Sequence, residues 1–194
     1  LTKPVKNNFE KDIQECLTVL NNGGIILYPT DTVWGIGCDA TNVKAVQKVF
    51  ELKQRADNKA LIVLVTEEQD ILQYVAAPDM EIFDYLASDE KPTTVIYEGA
   101  IGLADPLLGQ DGSVGIRICQ DLFCRQLIKR FQKPIVSTSA NISGQPTPMR
   151  FTDIDTALMS RVDYTVQWRQ DDEKEGQPSR IIRWENGKVE VIRP

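Results

Sequence analysis

Apolar positions in the first part of the chain change period twice. Phe9, Ile13, Leu17 and Leu20 recur at helical spacing, and Asn22-Gly23-Gly24 supplies a stop. The apolar run Ile25 to Tyr28 then predicts a buried strand that breaks at Pro29. Behind it come small polar residues and two close glycines, YPTDTVWGIGCDA over 28–40, which predict a loop ahead of the next helix. Thr41 or Asn42 can cap that helix, whose apolar face is Val43, Val46, Val49 and Phe50. Strands are predicted at Leu61 to Val65, Thr93 to Tyr97, Val114 to Ile118 and, briefly, Pro134 to Val136. Helices are predicted after Pro78 (Met80, Phe83, Leu86), after the cap Asp121 (Leu122, Leu127, Ile128, Phe131) and from Thr152. Tyr164 to Trp168, Ser179 to Trp184 and Val189 to Ile192 predict closing strands. Mixed strands and helices without an internal repeat predict an α/β (α+β) fold, a single domain over 1–194.

A strand running into a polar, glycine-punctuated segment places hydroxyls and bare backbone at a sheet edge, where α/β proteins bind ligands. Thr30, Asp31 and Thr32 serve such a site or form a simple Asx turn. Lys53, Arg55 and Lys59 put three cations within seven residues at the predicted helix end. They repel one another unless an anion sits among them, and each contact to a phosphate contributes roughly 1.5–3 kcal/mol. Ser137-Thr138-Ser139-Ala140-Asn141, ahead of Gly144, is either an anion cradle or an ordinary Ser/Asn turn. Lys44 and Lys48, four apart, read as a solvated helix face, and the charged stretch Arg169 to Glu175 reads as a solvated loop.

Composition narrows the chemistry. The chain of 194 residues contains no histidine, which removes Ser-His-Asp and Cys-His catalysis and most zinc sites. Carboxylates, hydroxyls, Lys/Arg or a bound metal must do the work. A net charge of −6 argues against non-specific nucleic-acid binding. The four cysteines form no CxxC pair and are expected to be reduced thiols. No apolar run has the length of a membrane span and no export signal is evident, so a cytoplasmic, non-membrane protein is expected. There is no Walker A sequence and no GxGxxG.

The order YPTDTVWGIGCDA (28–40), LKQRADNKALIVLV (52–65), SVGIRI (113–118), VSTSANISGQPTP (136–148), PSRII (178–182) and VIRP (191–194) resembles the YrdC/TsaC family, the threonylcarbamoyl-adenylate synthases. The resemblance implies a twisted mixed sheet flanked by helices, with a deep basic cleft. It implies a nucleotidyltransferase that joins L-threonine, bicarbonate and ATP into threonylcarbamoyl-AMP, releasing pyrophosphate. A separate complex would pass the threonylcarbamoyl group to adenosine 37 of tRNAs that read ANN codons, with no stable tRNA binding by this chain. By position, Thr32, Arg117, Ser139 and Ser179 would contact L-threonine. Arg55 and Lys59 would hold the ATP phosphates with Lys53 nearby, this trio being the catalytic set. Ser113, Asn141, Met149 and Arg193 would complete the nucleotide site. Mg2+ would be held through phosphate oxygens and water, without a dedicated carboxylate cage.

The sequence departs from the family pattern at several places. Trp34 replaces a commoner Tyr, Leu64 stands where many relatives have a His near threonine, and Glu90-Lys91-Pro92-Thr93-Thr94 only partly matches Pro-Gly-Pro-x-Thr. Ser179-Arg180 replaces Ser-Thr, and the extra C-terminal domain of longer members is expected to be missing. An RNA-binding module without synthase activity, or a paralogue using another carbamoyl or acyl substrate, are the competing functions.

Overall fold

The computed structural model describes residues 9–54 and 61–194. Helix α1 (Glu10–Asn21) buries Ile13, Cys16 and Leu20, the face its periodicity predicts, and packs against α5 (Leu122–Phe131). Phe9 seals that contact edge-on to the rings of Phe123 and Trp168. Asp12, on the same buried face, accepts from Tyr164 Oη (2.7 Å), Gln167 N (2.8 Å) and Trp168 N (3.0 Å). A buried carboxylate is tolerated there because three donors replace its hydration.

Strand β1 (Ile26–Tyr28) is wholly buried and pairs antiparallel with β2 (Gly35–Gly37). The expected loop therefore contains a strand. Its composition hides it, because two of its three residues are glycine and β propensity disfavours them. Close approach explains the choice: a Cβ on Gly37 would stand 2.6 Å from both the Tyr28 ring and Val136 O. Tyr28 Oη donates to that same Val136 O at 3.0 Å, binding β1 to the strand beyond β2.

That strand is β6 (Ile135–Ser139), longer than predicted, so Ser137, Thr138 and Ser139 are strand residues and not a turn. In space the order is β7-β1-β2-β6-β3-β5-β4-β8-β9. Here β3 is Ile62–Val65, β4 Thr93–Tyr97, β5 Val114–Ile118, β7 Tyr164–Thr165, β8 Arg180–Glu185 and β9 Lys188–Arg193. β3 and β5 run parallel, β4 runs antiparallel to β5, and β8 lies parallel to β4. The result is a mixed sheet. The strand predicted at Tyr164 to Trp168 shrinks to two residues: Val166 N still donates to Leu27 O at 2.9 Å, but Gln167 N and Trp168 N turn to Asp12.

Asn42 and Asp121 cap α2 (Val43–Lys53) and α5 as predicted, accepting from Ala45 N and Cys124 N. The predicted helix after Pro78 is α4 (Glu81–Ala87). Helix α3 (Glu68–Tyr74) was not foreseen. Its start is fixed by Asp70, whose Oδ2 accepts from Thr66 N (2.8 Å), Thr66 Oγ1 (2.8 Å) and Glu67 N (3.1 Å). The helix expected from Thr152 divides into a 3-10 turn (Phe151–Asp153) and the short α6 (Thr156–Met159), capped by Asp155.

Candidate active site

Strand register gathers distant sequence positions into one row. Ile135, Leu64, Arg117, Thr94 and Ile181 are successive cross-strand partners from β6 to β8, so their side chains share a face. Ser137 and Ile62 stand in the adjoining row. The β8–β9 pairing is irregular at Ile181/Ile182, and Arg193 is set opposite Ile181.

On this face lies a cavity of about 170 Å³ whose wall includes Thr32, Arg117, Ser139, Ser179 and Arg193. All four residues expected to meet threonine are therefore brought together. Arg193, expected at the nucleotide, joins them. Its Nη2 and Nε donate to Ser179 O (2.6 and 3.0 Å), and Nη2 also reaches Ser179 Oγ at 3.3 Å. Ser179 Oγ lies 2.8 Å from Thr94 Oγ1, and both residues are buried.

Arg117 is only 3% exposed. Its Nη2 donates to Asp31 Oδ1 (3.0 Å) and Thr32 Oγ1 (3.2 Å), while its Nε has no hydrogen-bond partner among the described residues. A buried guanidinium with an unused donor is costly unless something accepts from it. Burial, followed by the like charge of Arg117, holds the Arg193 guanidinium below the usual arginine range. Among the described residues the cavity wall carries Arg117 and Arg193 and no carboxylate, Asp31 being paired with Arg117 from outside that wall.

The wall opposite offers acceptors. Ser139 Oγ donates to Asn141 Oδ1 at 2.5 Å, so its lone pairs remain for the cavity. The Asn141 amide nitrogen is spent on Ile142 O (3.1 Å) and Gln145 O (2.7 Å). Lys53 is buried, and its Nζ donates to Ser139 O and to Asn141 O (2.7 Å). The lysine thus ties the last residue of α2 to the Ser-Asn segment. Arg55 and Lys59 lie outside the described residues.

Ser113 and Met149 stand apart from the cavity. Both the backbone N and Oγ of Ser113 donate to Asp111 Oδ1, at 3.0 and 2.6 Å. Met149 lines an adjoining crevice with Thr32 and Gly176. Leu64 is fully buried, within the row and outside the cavity wall. A cavity of about 620 Å³ lies on the far side of Asp31. Asp31, Glu67, Glu68, Asp89 and Glu90 outnumber Lys91 and Arg125 along its wall, which suits it poorly to an anion despite its size.

The charged stretch Arg169 to Glu175 is largely exposed, as expected of a solvated loop, but it is also anchored. Arg169 Nη1 donates to Thr30 O (3.2 Å) and Asp121 Oδ2 (3.0 Å). Arg150 holds the other end through Glu173 O and Glu175 Oε1, each at 2.9 Å. Gly176 N donates to Met149 O at 2.8 Å. The segment is a strap across Thr30–Trp34, and charge content alone gives no sign of its partners. Thr94 was missed, since a hydroxyl that acts through another has no sequence signature.

With this geometry in place, comparison with known proteins is decisive. A family model described as Telomere recombination (Sua5_yciO_yrdC) matches residues 18–194. The chain belongs to the Sua5/YciO/YrdC family. It is 33% identical over 186 residues to the threonylcarbamoyl-AMP synthase of Pseudoalteromonas translucida, covering 93% of this chain and 97% of that protein. It is also 33% identical over 155 residues to the threonylcarbamoyl-AMP synthase of Vibrio campbellii, covering 78% and 84%. P. abyssi Sua5, solved in complex with L-threonine, superposes with a TM-score of 0.83 at 21% identity, covering 95% of this chain. This chain spans 54% of that protein, a little over half its length. E. coli YciO superposes with a TM-score of 0.80 at 19% identity, covering 94% and 88%. Both structural likenesses bear on the fold, a twisted mixed sheet with helices. Among the described residues no helix is long and apolar enough to cross a membrane.

Proposed function

We propose that this chain is a threonylcarbamoyl-AMP synthase, a nucleotidyltransferase acting on L-threonine, bicarbonate and ATP. The observation that carries the reading is a cavity lined by two guanidinium groups, Arg117 and Arg193, whose opposite wall carries the hydroxyl acceptor Ser139. Guanidinium donors on one side and acceptors on the other complement the carboxylate and amine of an amino acid. The relatives named as synthases, at 33% identity over most of the chain, support the same reading.

In the reaction the threonine amine attacks the carbon of bicarbonate or of CO2, giving a carbamate and, from bicarbonate, water. A carbamate oxygen then attacks the α-phosphorus of ATP, and the bond to the β-phosphate oxygen breaks to release pyrophosphate. No enzyme nucleophile is required, consistent with a chain lacking histidine and with four buried free cysteines. The protein's contribution is position and charge. Arg117 and Arg193 hold the carboxylate, and Ser139 and Thr32 receive donors of the amino acid. Arg55 and Lys59 neutralise the ATP phosphates, which Lys53 assists by fixing the Ser139–Asn141 segment. Mg2+ would be held through the phosphate oxygens and water and would supply charge neutralisation there. The product leaves for a separate tRNA-modifying complex.

The test is pyrophosphate release from ATP and bicarbonate with and without L-threonine, in the absence of tRNA. Threonine-dependent release is expected, and release that ignores threonine or requires tRNA would refute the assignment.

A further inference from the structure

The hydroxyls beneath the cavity have a determined direction. Thr30, only 2% exposed, donates its single hydroxyl proton to Val33 O at 2.7 Å, an atom that can only accept. Thr32 N donates to Thr30 Oγ1 at 3.1 Å. The two threonine hydroxyls stand 3.0 Å apart. Since the Thr30 proton is already committed, Thr32 must be the donor in that contact. Thr30 then has one donor and two acceptor sites, all filled. Thr32 has given away its proton and accepts from Arg117 Nη2 at 3.2 Å, which leaves one lone pair. Asp31 holds that Arg117 nitrogen in place from 3.0 Å.

We propose that Thr30 is a positioning residue that fixes the proton order Arg117 to Thr32 to Thr30 to Val33, so that Thr32 meets substrate as an acceptor only and selects an amine. The amine assignment rests on the amino-acid reading above. A carboxylate held in the cavity between Arg117 and Arg193 places its α-nitrogen next to Thr32, whose Oγ1 is already within hydrogen-bond distance of the Arg117 guanidinium. A hydroxyl able to donate would also satisfy an oxyanion, and discrimination would be lost. Thr30 itself does not line the cavity, so its effect is exerted through Thr32.

Two measurements test this. The first is competitive binding of L-threonine against 3-hydroxybutyrate, which is threonine without its amine, in the wild type, Thr30→Val and Thr30→Ser. Thr30→Val removes the acceptor, frees the Thr32 proton and should reduce the preference for L-threonine about tenfold, the effect of one hydrogen bond to a charged group. Thr30→Ser preserves every bond and should retain the wild-type preference. A structural role alone would weaken both ligands equally, and that result, or a lost preference in Thr30→Ser, overturns the proposal. The second measurement is hydroxyl-proton exchange by NMR in the ligand-free protein. Slow exchange of both threonine hydroxyls is expected in the wild type, with fast exchange at Thr32 in Thr30→Val, and fast exchange at Thr32 in the wild type overturns it. Slow exchange in a protein that fails to bind L-threonine would sustain the proton order and refute the substrate.

Discussion

Arg117 Nη2 lies 3.0 Å from Asp31 Oδ1, an ion pair in which the arginine side chain is 3% and the aspartate 10% exposed. Removing one partner of so buried a pair leaves the other charge uncompensated, at a cost of about 3–5 kcal/mol. Asp31→Ala should therefore lower stability by about 3 kcal/mol in urea titrations. A bound carboxylate can replace the missing charge, so L-threonine should raise the melting temperature of Asp31→Ala more than that of the wild type. An equal shift in both proteins would mean that the ligand carboxylate does not reach Arg117.

Gly176 anchors the strap against Thr32. A Cβ there would run into Thr32 O and come within 3.1 Å of Val33 Cα, both backbone atoms that cannot turn aside. Gly176→Ala should destabilise by about 1–3 kcal/mol, as overpacking does. It should also raise the KM for threonine, because Thr32 is displaced. By contrast Arg150→Ala breaks only exposed contacts and should change stability by less than about 1 kcal/mol. Wild-type kinetics in Gly176→Ala would show that the strap can shift without disturbing the site.

The cavity was partly legible beforehand. Thr32, Arg117, Ser139 and Ser179 could be named because they sit in compact motifs whose order survives as a resemblance. What joins them could not be read. Leu64, Arg117, Thr94 and Ile181 share a row only through strand register, and parallel pairings such as β3 with β5 leave no local turn signal. Periodicity found the long helices α1, α2 and α5, where an apolar face repeats over several turns. It failed at β2, whose glycines serve Tyr28 and not strand propensity, and at α3, where Asp70 sets the start. The direction of the Thr30–Thr32 contact needed atomic positions, since both hydroxyls are chemically able to donate.

Lys53 offers a test of how the Ser-Asn segment is held. Its ammonium is buried and donates to two backbone carbonyls, Ser139 O and Asn141 O. Lys53→Met keeps the apolar stem and deletes the donors, leaving those carbonyls short of partners. The expected loss is about 1–3 kcal/mol of stability. If the lysine acts by positioning, ATP affinity should fall while added salt changes it no more than in the wild type. A steeper or abolished salt dependence would indicate direct contact between Lys53 and phosphate.

Substrate choice follows from the polarity of the wall. Thr32 and Ser139 have committed their protons elsewhere, and Ser179 is engaged by Thr94 and Arg193. L-valine matches L-threonine in shape and keeps the amine that meets Thr32, but it has no hydroxyl to offer, so it leaves the Ser139 acceptor unpaired in a confined cavity of about 170 Å³. A site built around such hydrogen bonds rejects the deficient analogue by about 10⁴-fold or more, whereas loss of one methyl group costs only about 10–200-fold. L-serine, which retains the hydroxyl and lacks the methyl, should therefore be turned over far better than L-valine. The comparison is made on kcat/KM from pyrophosphate release with each amino acid. Valine turnover comparable to serine would mean that the hydroxyl acceptors do not face the substrate, and the threonine assignment would fall with them.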